Sequence, residues 1–290
     1  MNNPLIALSQ SISEAVHISS QFVVSVSARR KRFQSGILLG SNRILTLDPG
    51  VELDEDLKIL LPSGEVAAAS LLGRDPGTDL ALLELQGTYE NPPNVAFAQQ
   101  ANLGEIALNI SLSQETGPNV VLGLIGAVSG PWRTWKGGKL DSFIKLDGGA
   151  PGTVAVRADG AVLGLSTDGL VRGATVLIPN SNIEHFVSAV DSHANLSRGY
   201  LGVGLQPVPQ PAGMIILNVE PDSPSAAANL MVGDVIISIG GLAANDYSSI
   251  QEFLEPSHVG EQIPLKVFRA GKEIDLNVQI GTRPGSRRVA

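Results

Sequence analysis

Leu72-Gly73-Arg74-Asp75-Pro76-Gly77-Thr78-Asp79-Leu80-Ala81-Leu82-Leu83 carries a polar turn segment between two apolar runs. The runs at 65–72 and 79–85 predict strands, because each is short, apolar and bounded by turn-forming residues. Similar runs recur on both sides of this stretch, and residues 21–29 alternate between apolar and small polar side chains. The other predicted strands of this part are 36–39, 43–47, 57–61, 105–112, 119–128, 143–146, 153–157, 161–166 and 173–178. Many short strands at this spacing predict a mainly β barrel or sandwich.

Composition excludes several classes of protein before any motif is considered. The 290 residues include 32 Gly and 18 Pro but no Cys, and the formal net charge is −8. The absence of cysteine excludes a disulfide scaffold, a thiolate metal site and a cysteine nucleophile. The acidic balance argues against a nucleic-acid binder, which would carry a basic face. We therefore expect no nucleic-acid partner, no metal and no cofactor.

A second module is predicted after residue 198. The preceding segment, 180–190, has apolar residues at helical spacing and candidate capping side chains in Asn180-Ser181-Asn182, which predicts a helix. Residues 192–198 are polar and predict a linker. The module itself is predicted to contain strands at 200–207, 213–219, 234–239, 263–269 and 272–280, with helices at 224–230 and 246–254. Its length of about 85 residues is normal for a small domain.

The motifs in both modules resemble those of one family. The stretch 72–83 resembles the surroundings of the catalytic Asp in trypsin-like serine proteases of the HtrA (high-temperature-requirement) family. Arg198-Gly199-Tyr200-Leu201-Gly202-Val203 resembles the start of that family's PDZ domain, and the segments 219–227 and 232–236 resemble its core. The resemblance implies a trypsin-like double β-barrel followed by an α+β PDZ domain. It divides the chain into a protease-fold domain at 1–195, a PDZ domain at 196–285 and a tail at 286–290.

The resemblance also implies a His-Asp-Ser triad, of which this sequence matches one position. Asp79 stands at the Asp position, Pro49 stands where the His is expected, and Pro151 stands where the Ser is expected. A second alignment of the 147–154 loop shortens it and deletes the nucleophile segment. Both alignments remove the serine, and proline offers neither a base nor a backbone N–H for an oxyanion hole. We therefore expect a chain that is not an enzyme, a degenerate member of the family.

The remaining candidates for the chemistry are few. None of the four histidines, His17, His185, His193 and His258, lies near Pro49 in sequence. Thr153 is the nearest hydroxyl to the nucleophile position, but no neighbouring base would activate it. Loss of either Ser or His from such a triad costs about a million-fold in turnover. Trp132 and Trp135 form either a contact surface or simple loop packing.

The PDZ resemblance predicts a peptide site. PDZ domains add a partner's C-terminal strand to a sheet edge and hold its carboxylate on backbone N–H groups. The expected peptide-binding residues are Arg198, Tyr200, Leu201, Gly202 and Val203 around the carboxylate loop, with Tyr247, Gln251 and Leu254 on the facing helix. Leu201, Val203 and Leu254 would favour an apolar terminal side chain. The alternative is a packing domain whose groove is empty or blocked.

Three functions are compatible with these patterns. The first is a catalytically inactive HtrA-like pseudoprotease that binds a protein or peptide partner, in part through C-termini, as a scaffolding or assembly factor. The second is a serine-type endopeptidase with an unconventional or partner-completed active site. The third is a structural subunit of a larger complex with an unused groove. The N-terminus Met1-Asn2-Asn3-Pro4-Leu5-Ile6-Ala7-Leu8 lacks a basic and apolar leader pattern, so we expect a cytoplasmic location and no membrane insertion.

Overall fold

The computed structural model describes residues 3–27, 33–51, 57–192, 199–254 and 258–282. These residues form two compact units, Met1–Ala194 and Asn195–Ala290. The protein is mainly β, with 47% of residues in strands and 16% in helices. No helix in the described ranges is both long and apolar enough to cross a bilayer.

The first unit opens with a helix and a closed six-stranded barrel. Helix α1 (Pro4–Ser19) is capped by the Asn3 side chain, which accepts a hydrogen bond from the Leu5 N–H at 3.0 Å. The barrel strands follow the order β1-β2-β3-β6-β5-β4, and β4 closes onto β1. They are β1 (Val23–Ser27), β2 (Phe33–Leu39), β3 (Arg43–Leu47), β4 (Leu57–Leu60), β5 (Val66–Asp75) and β6 (Leu80–Leu85). Aliphatic side chains such as Val24, Ile44 and Leu83 fill its interior.

A second closed barrel follows in the same unit, with the order β11-β14-β13-β12-β7-β8. Its strands are β7 (Ile106–Ser113), β8 (Gly117–Ser129), β11 (Phe143–Asp147), β12 (Val154–Val156), β13 (Val162–Thr167) and β14 (Thr175–Ile178). The short pair β9 (Trp132–Arg133) and β10 (Lys139–Leu140) lies between β8 and β11 in sequence. Two closed barrels leave no open sheet edge in either sheet. The expected trypsin-like double barrel is therefore confirmed.

Helix α2 (Asn180–Asp191) packs across the first barrel. A Cβ on Gly73 of β5 would lie 2.7 Å from Cγ2 of Val190, so only glycine allows this close approach. The expected capping by Asn180 is wrong, because the N-cap is Pro179 and no side chain caps the helix. Asn180 is instead buried, and its Nδ2 donates to the carbonyls of Ala98 and Val162, both at 2.7 Å.

The second unit contains a sheet of order β16-β17-β18-β20-β21, with β19 paired to β18. Its strands are β15 (Gly199–Tyr200), β16 (Val203–Pro209), β17 (Ala212–Val219), β18 (Val235–Ile239), β19 (Leu242–Ala243), β20 (Gln262–Arg269), β21 (Lys272–Gln279) and β22 (Gly281–Thr282). Its helices, α3 (Pro224–Ala227) and α4 (Tyr247–Glu252), are both shorter than predicted. β16 is an edge strand, so one side of its backbone is open to another chain.

Candidate functional site

Asp79 lies between the two barrels and is fully buried. It precedes β6 and has φ of 60°, a left-handed conformation that non-glycine residues seldom adopt. The turn before it is held by Asp75, whose carboxylate accepts from the Gly77 N–H at 2.9 Å and the Thr78 hydroxyl at 2.7 Å. Short polar side chains that bond to nearby backbone stabilise such turns. The sequence 75–79 thus aims the Asp79 carboxylate inward.

Two side chains from the second barrel and its connections bind that carboxylate. Lys136 Nζ lies 2.5 Å from Oδ1, and the Thr167 hydroxyl donates to Oδ2 at 2.7 Å. We call Asp79, Lys136 and Thr167 the Asp79 cluster. A buried carboxylate needs such compensation, because desolvation of an unpaired charge is very costly.

The β9–β10 loop holds Lys136 in place. The Thr134 hydroxyl donates to the Gly77 carbonyl at 2.8 Å and accepts from the Gly138 N–H at 2.9 Å. A Cβ on Gly138 would lie 2.0 Å from the Gly77 oxygen, so this loop docks only with glycine there. Sequence reasoning missed Lys136 and Thr167, since nothing in their local pattern indicates contact with Asp79.

Pro49 lies in a short 3₁₀ turn, Asp48–Gly50, directly after β3, and is exposed. The Asp48 N–H donates to the Asp79 carbonyl at 2.9 Å, which brings this turn beside the cluster. Burial raises the pKa of the Asp48 carboxyl to about 6; Arg74 opposes that effect and the nearby Asp79 charge adds to it.

Pro151 lies in the turn before β12 and is exposed. The Ser166 hydroxyl donates to the Ala150 carbonyl at 2.7 Å, and Thr153 Oγ1 contacts the same carbonyl at 2.8 Å. The two hydroxyl oxygens are 2.8 Å apart and both are buried. Across the barrels, the Ser35 N–H donates to the Gly152 carbonyl at 2.8 Å. The loop is therefore closely tied to its surroundings.

The described histidines lie elsewhere. His17 is exposed on α1, His185 is 79% exposed on α2, and His258 bonds to Glu261 at 2.8 Å in the second unit. His193 lies outside the described residues. Within the described part of the chain, the Asp79 carboxylate has Lys136 and Thr167 as hydrogen-bond partners and no histidine.

The two tryptophans take different roles. Trp132 is a packing residue, since its ring meets Phe143 edge-on at 5.1 Å and its Nε1 donates to the Ser142 carbonyl. Trp135 is 60% exposed and donates to the Gly169 carbonyl at 2.7 Å. It lines an open cavity of about 480 Å³ together with Asp168 and Arg172. Two residues that line this cavity, Trp135 and Asp168, are sequence neighbours of Lys136 and Thr167 in the Asp79 cluster.

In the second unit, the loop before β16 presents free backbone donors. Among the described residues, neither the Leu201 N–H nor the Gly202 N–H has a hydrogen-bond acceptor, and Gly202 has φ of 76°. Successive N–H groups in such a conformation form a concave anion site. The Leu201 side chain is 3% exposed and belongs to the core cluster, so its backbone is the part that the loop presents. Its expected part in selecting the ligand's terminal side chain stays a prediction.

The other expected peptide-binding residues are spread around this loop. Tyr200 donates its hydroxyl to Glu220, Val203 begins β16, and Tyr247 begins α4. Gln251 is half-buried on α4, whereas Leu254 lies beyond the helix and packs against the core, so its expected place on the helix is wrong. Arg198 lies outside the described residues.

Comparison with known proteins supports the fold of both units. Residues 34–165 match the trypsin-like peptidase domain model and residues 199–280 match the PDZ domain model. A probable periplasmic serine endoprotease, DegP-like, of Brucella suis is 26% identical over 275 residues, covering 87% of this chain and 53% of its own length. The periplasmic serine endoprotease DegP of Escherichia coli K12 is 24% identical, covering 85% of this chain and 58% of its own length. The chain thus spans little more than half the length of these relatives.

Among solved structures, the HtrA-type protease AlgW with a decapeptide has a TM-score of 0.67 and 22% identity, covering 94% of this chain and 99% of its own. At that identity the likeness shows the fold alone.

These relatives correct two expectations. The prediction that the chain is not an enzyme is wrong, because the relatives are named serine endoproteases. That prediction depended on two positions assigned by sequence register. The prediction of a cytoplasmic location is also wrong, because the same relatives are named periplasmic. It depended on the composition of eight residues, which does not identify a compartment.

Proposed function

This chain belongs to the HtrA-like family, with a trypsin-like peptidase domain followed by a PDZ domain, and on that premise we propose a periplasmic serine-type endopeptidase completed by a partner. The observation that carries the proposal is the Asp79 cluster. Asp79 is buried between the barrels, and Lys136 and Thr167, from the second barrel and its connections, hold its carboxylate in place. The relatives' names supply the reaction class, endoproteolysis.

The need for a partner follows from the chemistry of a hydroxyl nucleophile. Such a hydroxyl attacks only when a base removes its proton. The hydroxyls nearest the 148–152 turn are Thr153 and Ser166, which contact each other and the Ala150 carbonyl. The cation Lys136 is bound to Asp79. We therefore assign Thr153 as the nucleophile and assign the base to the partner. Because Thr153 is buried, the partner would also have to expose its hydroxyl.

The hydrolytic proposal is tested with unfolded casein and a fluorophosphonate probe. The full chain is assayed alone and with proteins that co-purify with it, and labelled polypeptides are separated by size. We expect label on this chain's 30.2 kDa band only when the partner is present. Thr153→Ala abolishes the label and Thr153→Ser keeps it. Label on the partner alone, or no label and no casein cleavage in any mixture, overturns the proposal.

The PDZ unit supplies substrate or activator binding in this proposal. Its free Leu201 and Gly202 N–H groups suit a terminal carboxylate, and β16 offers an open strand edge. The test compares peptides that end in a free carboxylate with the same peptides as C-terminal amides. Binding of the carboxylate form alone supports the assignment, and equal binding of both forms contradicts it.

A further inference from the structure

The hydrogen bonds of β17, the neighbour of β16 in the sheet, show which backbone groups of β16 face its open side. The Ile216 N–H donates to the Asp234 carbonyl at 2.8 Å, and the Ile216 carbonyl accepts from the Gly233 N–H at 2.9 Å. Both backbone groups of Ile216 thus face away from β16. Since Leu205 stands opposite Ile216, its own N–H and carbonyl face the open edge.

Tyr247 already uses one of these groups. It is the first residue of α4, and its hydroxyl donates a hydrogen bond to the Leu205 carbonyl. The contact bridges the helix and the strand that form the two walls of the groove. An added strand would place its own N–H on the same carbonyl. Because a carbonyl can accept two hydrogen bonds, the competition is for space: the Tyr247 hydroxyl stands on the open edge where the backbone of the added strand would lie.

Two prolines further along β16 reduce the number of hydrogen bonds that the same edge can donate to a ligand. Backbone direction alternates along a strand, so Pro207 and Pro209 face the open side, as Leu205 does. Proline has no N–H, so neither can donate to an added strand. On the described open edge of β16, Val203 and Leu205 therefore offer N–H donors, and Pro207 and Pro209 offer none.

We propose that this groove binds only the last three residues of a free C-terminus, and that Tyr247 is a gate that closes it when no ligand is bound. The inference rests on the peptide-binding function proposed above. The terminal carboxylate would sit on the Leu201 and Gly202 N–H groups. The third residue from the end then exchanges both backbone hydrogen bonds with Leu205. The fifth residue from the end of the ligand would lie beside Pro207. Proline has no N–H, so it cannot donate a hydrogen bond to that residue.

The test uses N-acetylated decapeptides with free carboxyl termini, varied at the last three residues, against the full chain and Tyr247→Phe. The best binder is then shortened to its last three residues and both lengths are titrated by fluorescence anisotropy. We expect Tyr247→Phe to bind about three- to tenfold more tightly, since the hydroxyl that stands on the open edge is gone. We expect the two peptide lengths to bind the wild type within about twofold.

Pro207→Ala provides the second variant. Restoring an N–H to the open edge is expected to make the decapeptide bind about threefold or more tightly than the tripeptide. Equal or weaker binding by Tyr247→Phe, or a clear length dependence in the wild type, overturns the inference while the peptide-binding function stands. Binding to neither protein, or equal binding of C-terminal amides, overturns both.

Discussion

Lys136 Nζ lies 2.5 Å from Oδ1 of Asp79, whose side chain is fully buried between the two barrels. This ion pair joins a turn of the first barrel to a connection of the second. The same carboxylate also accepts from Thr167 at 2.7 Å. The buried charge of Asp79 is thus held by two contacts with residues 57 and 88 positions away in sequence.

Lys136→Met is expected to destabilise the peptidase domain by about 2–4 kcal/mol, because removal of one partner leaves a buried carboxylate without its counter-charge. Urea unfolding followed by circular dichroism measures the loss. The matched control is Lys139→Met, since Lys139 is exposed; it should shift the unfolding free energy by less than about 0.5 kcal/mol. Adding Asp79→Asn to Lys136→Met should recover part of the loss. Equal effects of the two lysine variants would contradict the assignment.

Asp48→Asn is expected to stabilise the protein at neutral pH and to lose that advantage in acid. The folded pKa of about 6 lies above the ordinary value of 3.8, so ionisation of Asp48 costs stability. That cost is absent below about pH 4, where both states are protonated, and is complete above about pH 6. The gap in Tm between variant and wild type should therefore open between those two values. At pH 7 it corresponds to about 2–3 kcal/mol.

A gap for Asp48→Asn that stays constant from pH 4 to pH 8 would show that the carboxyl does not titrate in that window. Asp159→Asn serves as a contrast. The hydrogen bond from Arg157 lowers the pKa of Asp159, so its contribution to stability should be present at neutral pH and fall only in acid.

Gly138→Ala is expected to destabilise the peptidase domain by about 1–3 kcal/mol, because the added methyl would overlap the Gly77 carbonyl. Undocking of the β9–β10 loop should also change the fluorescence of Trp135, whose Nε1 donates to Gly169. Gly130→Ala is the control, since a Cβ there meets no atom within 4 Å. An unchanged Tm and emission spectrum for Gly138→Ala would mean that the loop is not docked as described.

Gly202→Ala is expected to weaken binding of carboxylate-terminated peptides by about tenfold or more, an effect of about 1.4 kcal/mol. The residue has φ of 76°, and an added Cβ would lie 2.3 Å from Cβ of Ser223. The loop must then shift its free N–H groups away from the ligand. Fluorescence anisotropy measures the affinity, with the exposed Met231→Ala as control. Unchanged affinity for Gly202→Ala would place the carboxylate elsewhere.

Local pattern was sufficient for much of the fold. Short apolar runs between turn residues predicted the barrel strands, and the turns at Pro62-Ser63-Gly64 and Ala158-Asp159-Gly160 connect β4 to β5 and β12 to β13. Helix α2 was placed by the spacing of Ile183 and Phe186, both buried. The expected capping by Asn180 was wrong, because its side chain instead bonds to carbonyls far away in sequence.

The sequence by itself determined the two modules, their strand content and Asp79 as a special position, because these follow from periodicity and motif over a few residues. Only the tertiary structure decided what Asp79 contacts and which side of β16 is open. Lys136 and Thr167 reach Asp79 from 57 and 88 residues away, and Tyr247 reaches Leu205 across 42. Such contacts depend on barrel closure and sheet order. These bring distant segments together, and no local sequence pattern predicts which segments will meet.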